Sequence, residues 1–342
     1  MNISNYEEQG RTFVIAEIGQ AHDGSIGILH SLIDAAASTG ADAVKFQLHI
    51  ADAESSPLEP FRKKFSYVDN SRYEYWKRME LSLEQWREVK RHCDSLGVEF
   101  LATPFSNVAV DLLQELGVKR YKVGSGDVHN LLLIDKIIRT GREIILSSGL
   151  SSISELERTV EVIKEHGAPF ALLQCTTQYP TKPESIGLAW LRRFKERFEC
   201  PVGLSDHSGT CYPAIGAVAL GASVVEAHIT FDQNMFGPDA CASMNIQEFK
   251  RMVDGVRCIE QARSEGEGKE IDDEKEKLRT MFGKSLAVNR DIEAGETLTF
   301  ADLEGKKPYG AGIPVNSFRQ VVGRSLRQSK KAWDFIEKDD LL

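Results

Sequence analysis

Six cysteines in 342 residues, at positions 93, 175, 200, 211, 241 and 258 with no Cys-x-x-Cys pair, are too sparse for a disulfide framework in so long a chain. Cys175, at the end of an apolar run, therefore reads as a buried structural thiol. Long apolar runs are missing too. No window approaches a membrane span, and Met1-Asn2-Ile3-Ser4-Asn5-Tyr6-Glu7-Glu8 lacks the basic start and apolar stretch of a secretory signal, so the expectation is a cytoplasmic protein with no membrane partner. Basic residues are in deficit: 42 Lys and Arg against 51 Asp and Glu leave a formal charge of -9, which disfavours nucleic acid and anionic membrane surfaces as general partners. An anionic small molecule would need a local cluster of lysines.

What is present is a rhythm. Apolar runs ending in polar residues or glycine recur at 13–19, 43–47, 98–103, 120–125, 144–148, 170–176, 202–205 and 224–229. Between them lie segments with helical spacing, such as Leu83, Trp86, Val89, Cys93 and Leu96. Eight such alternations predict an α/β fold of the (β/α)8, or TIM barrel, type. A doubly wound sheet is disfavoured because the first turn, Gly19-Gln20-Ala21-His22-Asp23-Gly24, lacks a glycine-rich phosphate fingerprint. The barrel is expected over 1–264, a charged linker over 265–282 and a small β-rich domain over 283–342. The long second connection, from His49 to about Leu81, carries Phe61-Arg62-Lys63-Lys64-Phe65 and Tyr73-Glu74-Tyr75-Trp76; it reads either as a cover for a substrate or as surface decoration.

In a barrel, chemistry sits at the C-terminal ends of the strands. Side chains two apart on a strand share a face, so Ser205 points with His207 and Glu226 with His228. Two neutral imidazoles with other positions open to water or substrate oxygen suit Mn2+, and Mg2+ less well. His22, after the first strand, is either a third polar group at the mouth or a turn residue. Lys45 projects with Gln47, and Lys122 is followed by Ser125. With Ser147 and Ser205 they describe an anion cradle, unless the lysines are already paired with Glu17, Asp127 or Glu226.

The strings Ile15-Ala16-Glu17-Ile18-Gly19, His22-Asp23-Gly24, Val44-Lys45-Phe46-Gln47, Thr103-Pro104-Phe105, Tyr121-Lys122-Val123-Gly124-Ser125-Gly126-Asp127, Leu146-Ser147-Ser148-Gly149, Gln174-Cys175-Thr176 with Tyr179-Pro180, Gly203-Leu204-Ser205-Asp206-His207 and Gly237-Pro238-Asp239 run in order along the chain. They resemble the N-acetylneuraminate (sialic acid, or nonulosonic acid) synthase family, and the tail from Gly283 is similar to that family's antifreeze-like (SAF) domain. The resemblance implies condensation of phosphoenolpyruvate with an N-acetylated hexose to a nine-carbon 3-deoxy-2-keto acid, with release of phosphate. It implies a divalent ion, Mn2+ or Mg2+, on His207 and His228, and phosphoenolpyruvate on Lys45, Lys122, Ser125, Ser147 and Ser205. It implies sugar contacts from Gln47, Asp127, Thr177, Tyr179, Glu226 and Asp239, with Glu17 and His22 as catalytic candidates.

It further implies a domain-swapped homodimer in which Lys307 reaches the acceptor in a partner's barrel. Four positions depart from the family pattern: Ala21, Thr177, Ala227, and Lys307 where an arginine is expected. These leave the amino-sugar acceptor open among N-acetylmannosamine and diacetamido hexoses. Two other readings stand beside this one: condensation onto a phosphorylated sugar, for which Arg62-Lys63-Lys64 would supply the second basic cluster, and a catalytically silent carbohydrate-binding relative.

Overall fold

The computed structural model describes residues 1–61, 65–263 and 270–342. Arg62-Lys63-Lys64 and residues 264–269 of the expected linker lie outside the described residues. Two compact units are present, Met1–Ser264 and Glu265–Leu342.

The first unit is built on eight parallel strands: β1 Phe13–Glu17, β2 Ala43–Leu48, β3 Glu99–Pro104, β4 Arg120–Val123, β5 Glu143–Ser147, β6 Phe170–Cys175, β7 Val202–Asp206 and β8 Val224–Thr230. They hydrogen-bond in the order β3-β2-β1-β8-β7-β6-β5-β4, and β3 lies against β4 at the seam. This is the (β/α)8 barrel that the rhythm of the sequence predicts. Helices cover the outside, which is why nearly every strand residue is buried on both faces. Their starts are set locally. Ser25, Ser106 and Asn130 cap the first turns, and Ser82 with Gln85 and Ser152 with Glu155 form reciprocal capping boxes. In helix Leu83–Leu96 the buried stripe is Trp86, Val89 and Cys93, while Leu96, at the stripe's edge in the last turn, is 41% exposed.

Strand parity sorts the interior. Val14, Ala16, Val44, Phe46, Ala102 and Leu204 face the helices, whereas Phe13, Ile15, Ala43, Leu101, Ile145, Ala171, Leu173 and Val224 fill the barrel. Space there is tight enough that Gly203 has no room for a side chain: a Cβ would stand 2.3 Å from the Val224 carbonyl oxygen and 2.6 Å from Leu173. Below this apolar layer Arg120 binds Glu99 and Glu143, each at 2.6 Å. The N-terminal helix Ile3–Glu8 closes that end. Ile3 is fully buried against the interior cluster, its amide donates to Glu143 Oε1 at 2.7 Å, and Arg120 donates to the Met1 carbonyl at 2.9 Å. Above the apolar layer the same inward-facing files continue as Glu17, Lys45, Gln47, Thr103, Lys122, Ser147, Cys175, Ser205 and Glu226. The polar end is thus the C-terminal end of the strands.

The second unit pairs strand Ser285–Val288 antiparallel with Leu303–Lys306 around a small core of Leu286, Val288, Ile292, Leu298, Ile313, Val321, Leu326 and Ile336. Part of the expected linker, Asp273–Phe282, is helical. It has no buried residue, as the missing apolar stripe implied, and its helicity has local causes. Asp272 caps it by accepting from the Lys275 amide at 2.7 Å, and Asp273, Glu274 and Glu276 load the first turn with charge that suits the helix dipole. Among the described residues, no helix is long and apolar enough to cross a membrane.

Candidate active site

The strand register brings the chemistry together. Glu17 is level with Lys45 on one side and His228 on the other, Gln47 with Thr103, and Ser205 with Glu226 and Cys175. These ends open into a cavity of about 340 Å³.

At its floor lie two lysines and two carboxylates. Lys45 Nζ is 3.0 Å from Glu17 Oε2 and 3.6 Å from Glu226 Oε1, and donates to Thr103 Oγ1 at 3.3 Å. Lys122 Nζ donates to Ser147 Oγ at 2.6 Å and lies 3.9 Å from Glu226 Oε1, which also accepts from Ser205 Oγ at 3.0 Å. Burial alone would push both lysines down. For Lys45 the two carboxylates outweigh it and the ammonium is held above its ordinary value; Lys122, with one more distant carboxylate and Lys45 nearby, is held below. Burial works against Glu226 as well, but Lys122 and Lys45 prevail and bring it down to about 2. The four charges sum to zero, so the pairing supplies the counter-anion that the sequence argument assigned to a ligand. Two carboxylate oxygens of this cluster are buried without a hydrogen-bond partner among the described residues: Glu226 Oε2, and Glu17 Oε2, which has only its ion pair with Lys45.

One wall carries the imidazoles. His207 and His228 both line the cavity, with ring centroids 5.3 Å apart. His207 Nδ1 lies 3.0 Å from the Thr176 carbonyl and Nε2 3.0 Å from the Tyr179 hydroxyl. The carbonyl takes a proton on Nδ1, leaving Nε2 as an acceptor. Burial first, then His228, push His207 down to about 3, so it is neutral at pH 7. Among the described residues no cluster of three or more His, Cys, Asp or Glu is arranged for a metal. A divalent ion here would have two neutral nitrogen donors and take its remaining ligands from water or substrate oxygen, a set that suits Mn2+.

The other expected residues fall as follows. Ser125 Oγ accepts from the Gly149 amide at 3.1 Å and donates to Cys175 Sγ at 3.3 Å. Cys175 thus lines the cavity while remaining buried. Asp127 accepts from Asn130 at 2.9 Å, and burial raises its pKa. Gln47, Asp127, Thr177, Tyr179 and Asp239 all line the cavity. Glu226 does too, but it is bound into the lysine cluster at the floor. His22 is not among the lining residues: its Nδ1 accepts from the Gly24 amide at 3.1 Å within the turn, and burial, then His49, bring it down to about 4. Its turn reading is the one the geometry favours. Lys307 belongs to the second unit, where its ammonium lies 5.0 Å from the centroid of the Phe282 ring.

The long second connection does line the cavity, through Phe61, Phe65, Tyr75 and Trp76 as well as Glu54, Glu59 and Arg72. Sequence reasoning missed Gln20, His49, Glu54 and Phe105. His49 was signalled by parity, since it continues the Lys45, Gln47 file by one step. Gly19, at φ +52, keeps the turn above Glu17 open; a Cβ there would press within 3.3 Å of both Glu17 Oε1 and Gln47 Nε2.

Barrel and cavity together define a (β/α)8 enzyme whose charged and imidazole groups meet at the C-terminal mouth. The sequence profile of the NeuB family matches residues 32–268, and the chain belongs to that family. It is 34% identical over 334 residues to the N,N'-diacetyllegionaminic acid synthase of Campylobacter jejuni, covering 96% of this chain and 99% of that protein. It is 33% identical over 334 residues to human N-acetylneuraminate-9-phosphate synthase, covering 96% and 91%. The crystal structure of the N-acetylneuraminic acid (sialic acid) synthetase of Leptospira borgpetersenii, in complex with citrate, superposes with a TM-score of 0.69 at 29% identity over 78% of this chain and 90% of that one.

Proposed function

We propose that this chain is a nonulosonic acid synthase, condensing phosphoenolpyruvate with an N-acetylated hexose to a nine-carbon 3-deoxy-2-keto acid and inorganic phosphate. The observation that carries the reading is one cavity floor on which Lys45, Lys122, Ser147 and Ser205 converge about Glu226, beside the His207–His228 pair.

In this reading Lys45, Lys122, Ser125, Ser147 and Ser205 hold the carboxylate and phosphate of phosphoenolpyruvate, and the lysines stabilise the departing phosphate. His207 and His228 would hold a divalent ion, Mn2+ or Mg2+, which when bound supplies Lewis acidity toward the acceptor's aldehyde oxygen. Carbon 3 of phosphoenolpyruvate forms a bond to the aldehyde carbon of the open-chain sugar. Water then adds at carbon 2, and the carbon–oxygen bond to phosphate breaks. Glu17, 3.0 Å from Lys45 and fixed by Gln47, is the group placed to move a proton in these steps. Gln47, Asp127, Thr177, Tyr179 and Asp239 are assigned to the sugar. Lys307 is assigned to the acceptor in a partner's barrel, within a homodimer capped by the antifreeze-like tail, working in the cytoplasm.

The test is phosphate release from phosphoenolpyruvate and Mn2+ with N-acetylmannosamine, diacetamido hexoses and their phosphorylated forms offered in turn. Release with an unphosphorylated amino sugar supports the reading. Release with phosphorylated sugars alone favours the runner-up, and none with any acceptor favours a silent carbohydrate-binding relative.

A further inference from the structure

A buried dyad above the floor has no part in the scheme so far. His49 Nδ1 lies 2.6 Å from Glu54 Oε1, and the ring is clamped between Trp76, 3.9 Å away at 16°, and Phe105, 4.6 Å away at 5°. On the far side of the ring, Nε2 is 3.1 Å from Gln20 Nε2 and, further off, 3.4 Å from Gln47 Oε1. The nearer of these partners is an amide NH2, which only donates, so with the amides as placed Nε2 accepts and the ring proton is on Nδ1, donated to Glu54. The polarity then propagates. Gln20 donates from the same amide nitrogen to Gln47 Oε1, which leaves the Gln47 NH2 to donate to Glu17 Oε1 at 2.8 Å. Were the ring proton on Nε2, it would oppose the Gln20 NH2; either Gln20 and Gln47 would both turn, setting an amide oxygen against the Glu17 carboxylate, or the proton would go to Gln47 Oε1 and compete there with Gln20.

We infer that His49, held in one tautomer by Glu54, is a positioning residue that sets the amides of Gln20 and Gln47 and through them aims Glu17. The inference rests on the proposed reaction for its kinetic consequence, but not for the tautomer itself. The clamping rings and the carboxylate come from separate parts of the chain: Phe105 follows β3, while Glu54 and Trp76 lie in the long second connection. Glu17 is thereby linked, through the two amides and His49, to Glu54 and Trp76 of that connection.

The experiment uses the full chain. His49→Phe keeps a flat ring between Trp76 and Phe105 while removing both ring hydrogen bonds, and its spectrum identifies His49 among the eight histidines by nitrogen-15 NMR. The wild-type ring is expected with the proton on Nδ1 and a bare Nε2, and Glu54→Gln should move the proton toward Nε2. In phosphate release, His49→Phe is expected to lower kcat roughly ten- to a hundredfold, as misplacement of a reacting group does, with KM for phosphoenolpyruvate within about twofold. If the effect travels through the amides, Gln47→Leu combined with His49→Phe is no slower than Gln47→Leu alone. A wild-type ring protonated on Nε2, or on both nitrogens, overturns the inference, as does an additive double variant or an unaffected His49→Phe. A wild type that consumes no phosphoenolpyruvate overturns the reaction instead, and the ring tautomer still decides the dyad.

Discussion

Lys45 Nζ and Glu17 Oε2 stand 3.0 Å apart on register-paired residues of neighbouring strands, both side chains buried. The pair satisfies the lysine without a ligand, so an arriving anion must share Lys45 with Glu17. A shift of the carboxylate away from the ammonium, or its protonation, is then the natural companion of anion binding. Removing one partner leaves the other charged and buried, at about 3–5 kcal/mol. Lys45→Met is therefore expected to lower the urea midpoint sharply and to abolish phosphate release. Lys45→Met with Glu17→Gln should recover most of the stability and none of the activity.

The two imidazoles carry the metal assignment. His228→Ala and His207→Ala are each expected to abolish turnover while circular dichroism and thermal unfolding stay close to wild type. Chelation should silence the wild-type enzyme, and added Mn2+ should restore it. Full activity in His228→Ala would remove the assignment.

Lys307 is expected to act on the acceptor alone. Lys307→Ala should change the ratio of rates among amino-sugar acceptors, with KM for phosphoenolpyruvate unchanged. Equal losses with every acceptor would point to a structural role in the second unit.

The opposite end of the barrel is a matter of packing. Ile3 is fully buried in the interior cluster with Phe13, Ile15 and Val224, and truncating it leaves a cavity that costs about 2–4 kcal/mol. Ile3→Ala should show that loss in denaturant unfolding at constant m-value, with kcat intact.

Acid should loosen the second connection. The Arg78 guanidinium, which donates to Asp69 at 2.9 and 3.0 Å and also binds Asp23 in the turn after β1, holds the Asp69 carboxyl below its ordinary value of 3.8. A carboxyl depressed by folding contributes stability above its unfolded pKa, and that stability is lost as pH falls through the folded value. The loss is thus confined to pH below about 4. Asp69→Asn should flatten the acid limb of a stability profile and leave the neutral region parallel to wild type, at lower stability.

Strands were legible in the sequence because most are short, largely apolar runs that turn polar toward their ends, a pattern that burial on both faces favours. Parity then gave the shared faces of Lys45 with Gln47 and of Ser205 with His207. Pairings across strands were less accessible. Glu226 was open to two readings, a sugar contact and a partner for the lysines, and the register of β7 with β8 brings it onto Ser205 and the lysines. His22 was open to two readings by position, a group at the mouth or a turn residue, and its ring accepts from the Gly24 amide within the turn. His49 continues the Lys45, Gln47 file, but its pairing with Glu54 was passed over because a strand end and the short helix Ala51–Glu54 that follows share no periodicity linking the two positions. The helix Asp273–Phe282 was read as linker because it lacks an apolar stripe, and its stability is local.

The most direct test is anomalous diffraction from crystals grown with Mn2+ and phosphoenolpyruvate. The account predicts a manganese peak bonded to His207 and His228, with the phosphoenolpyruvate anion on Lys45 and Lys122. A manganese ion bound elsewhere, or phosphoenolpyruvate lying away from the two lysines, would contradict it.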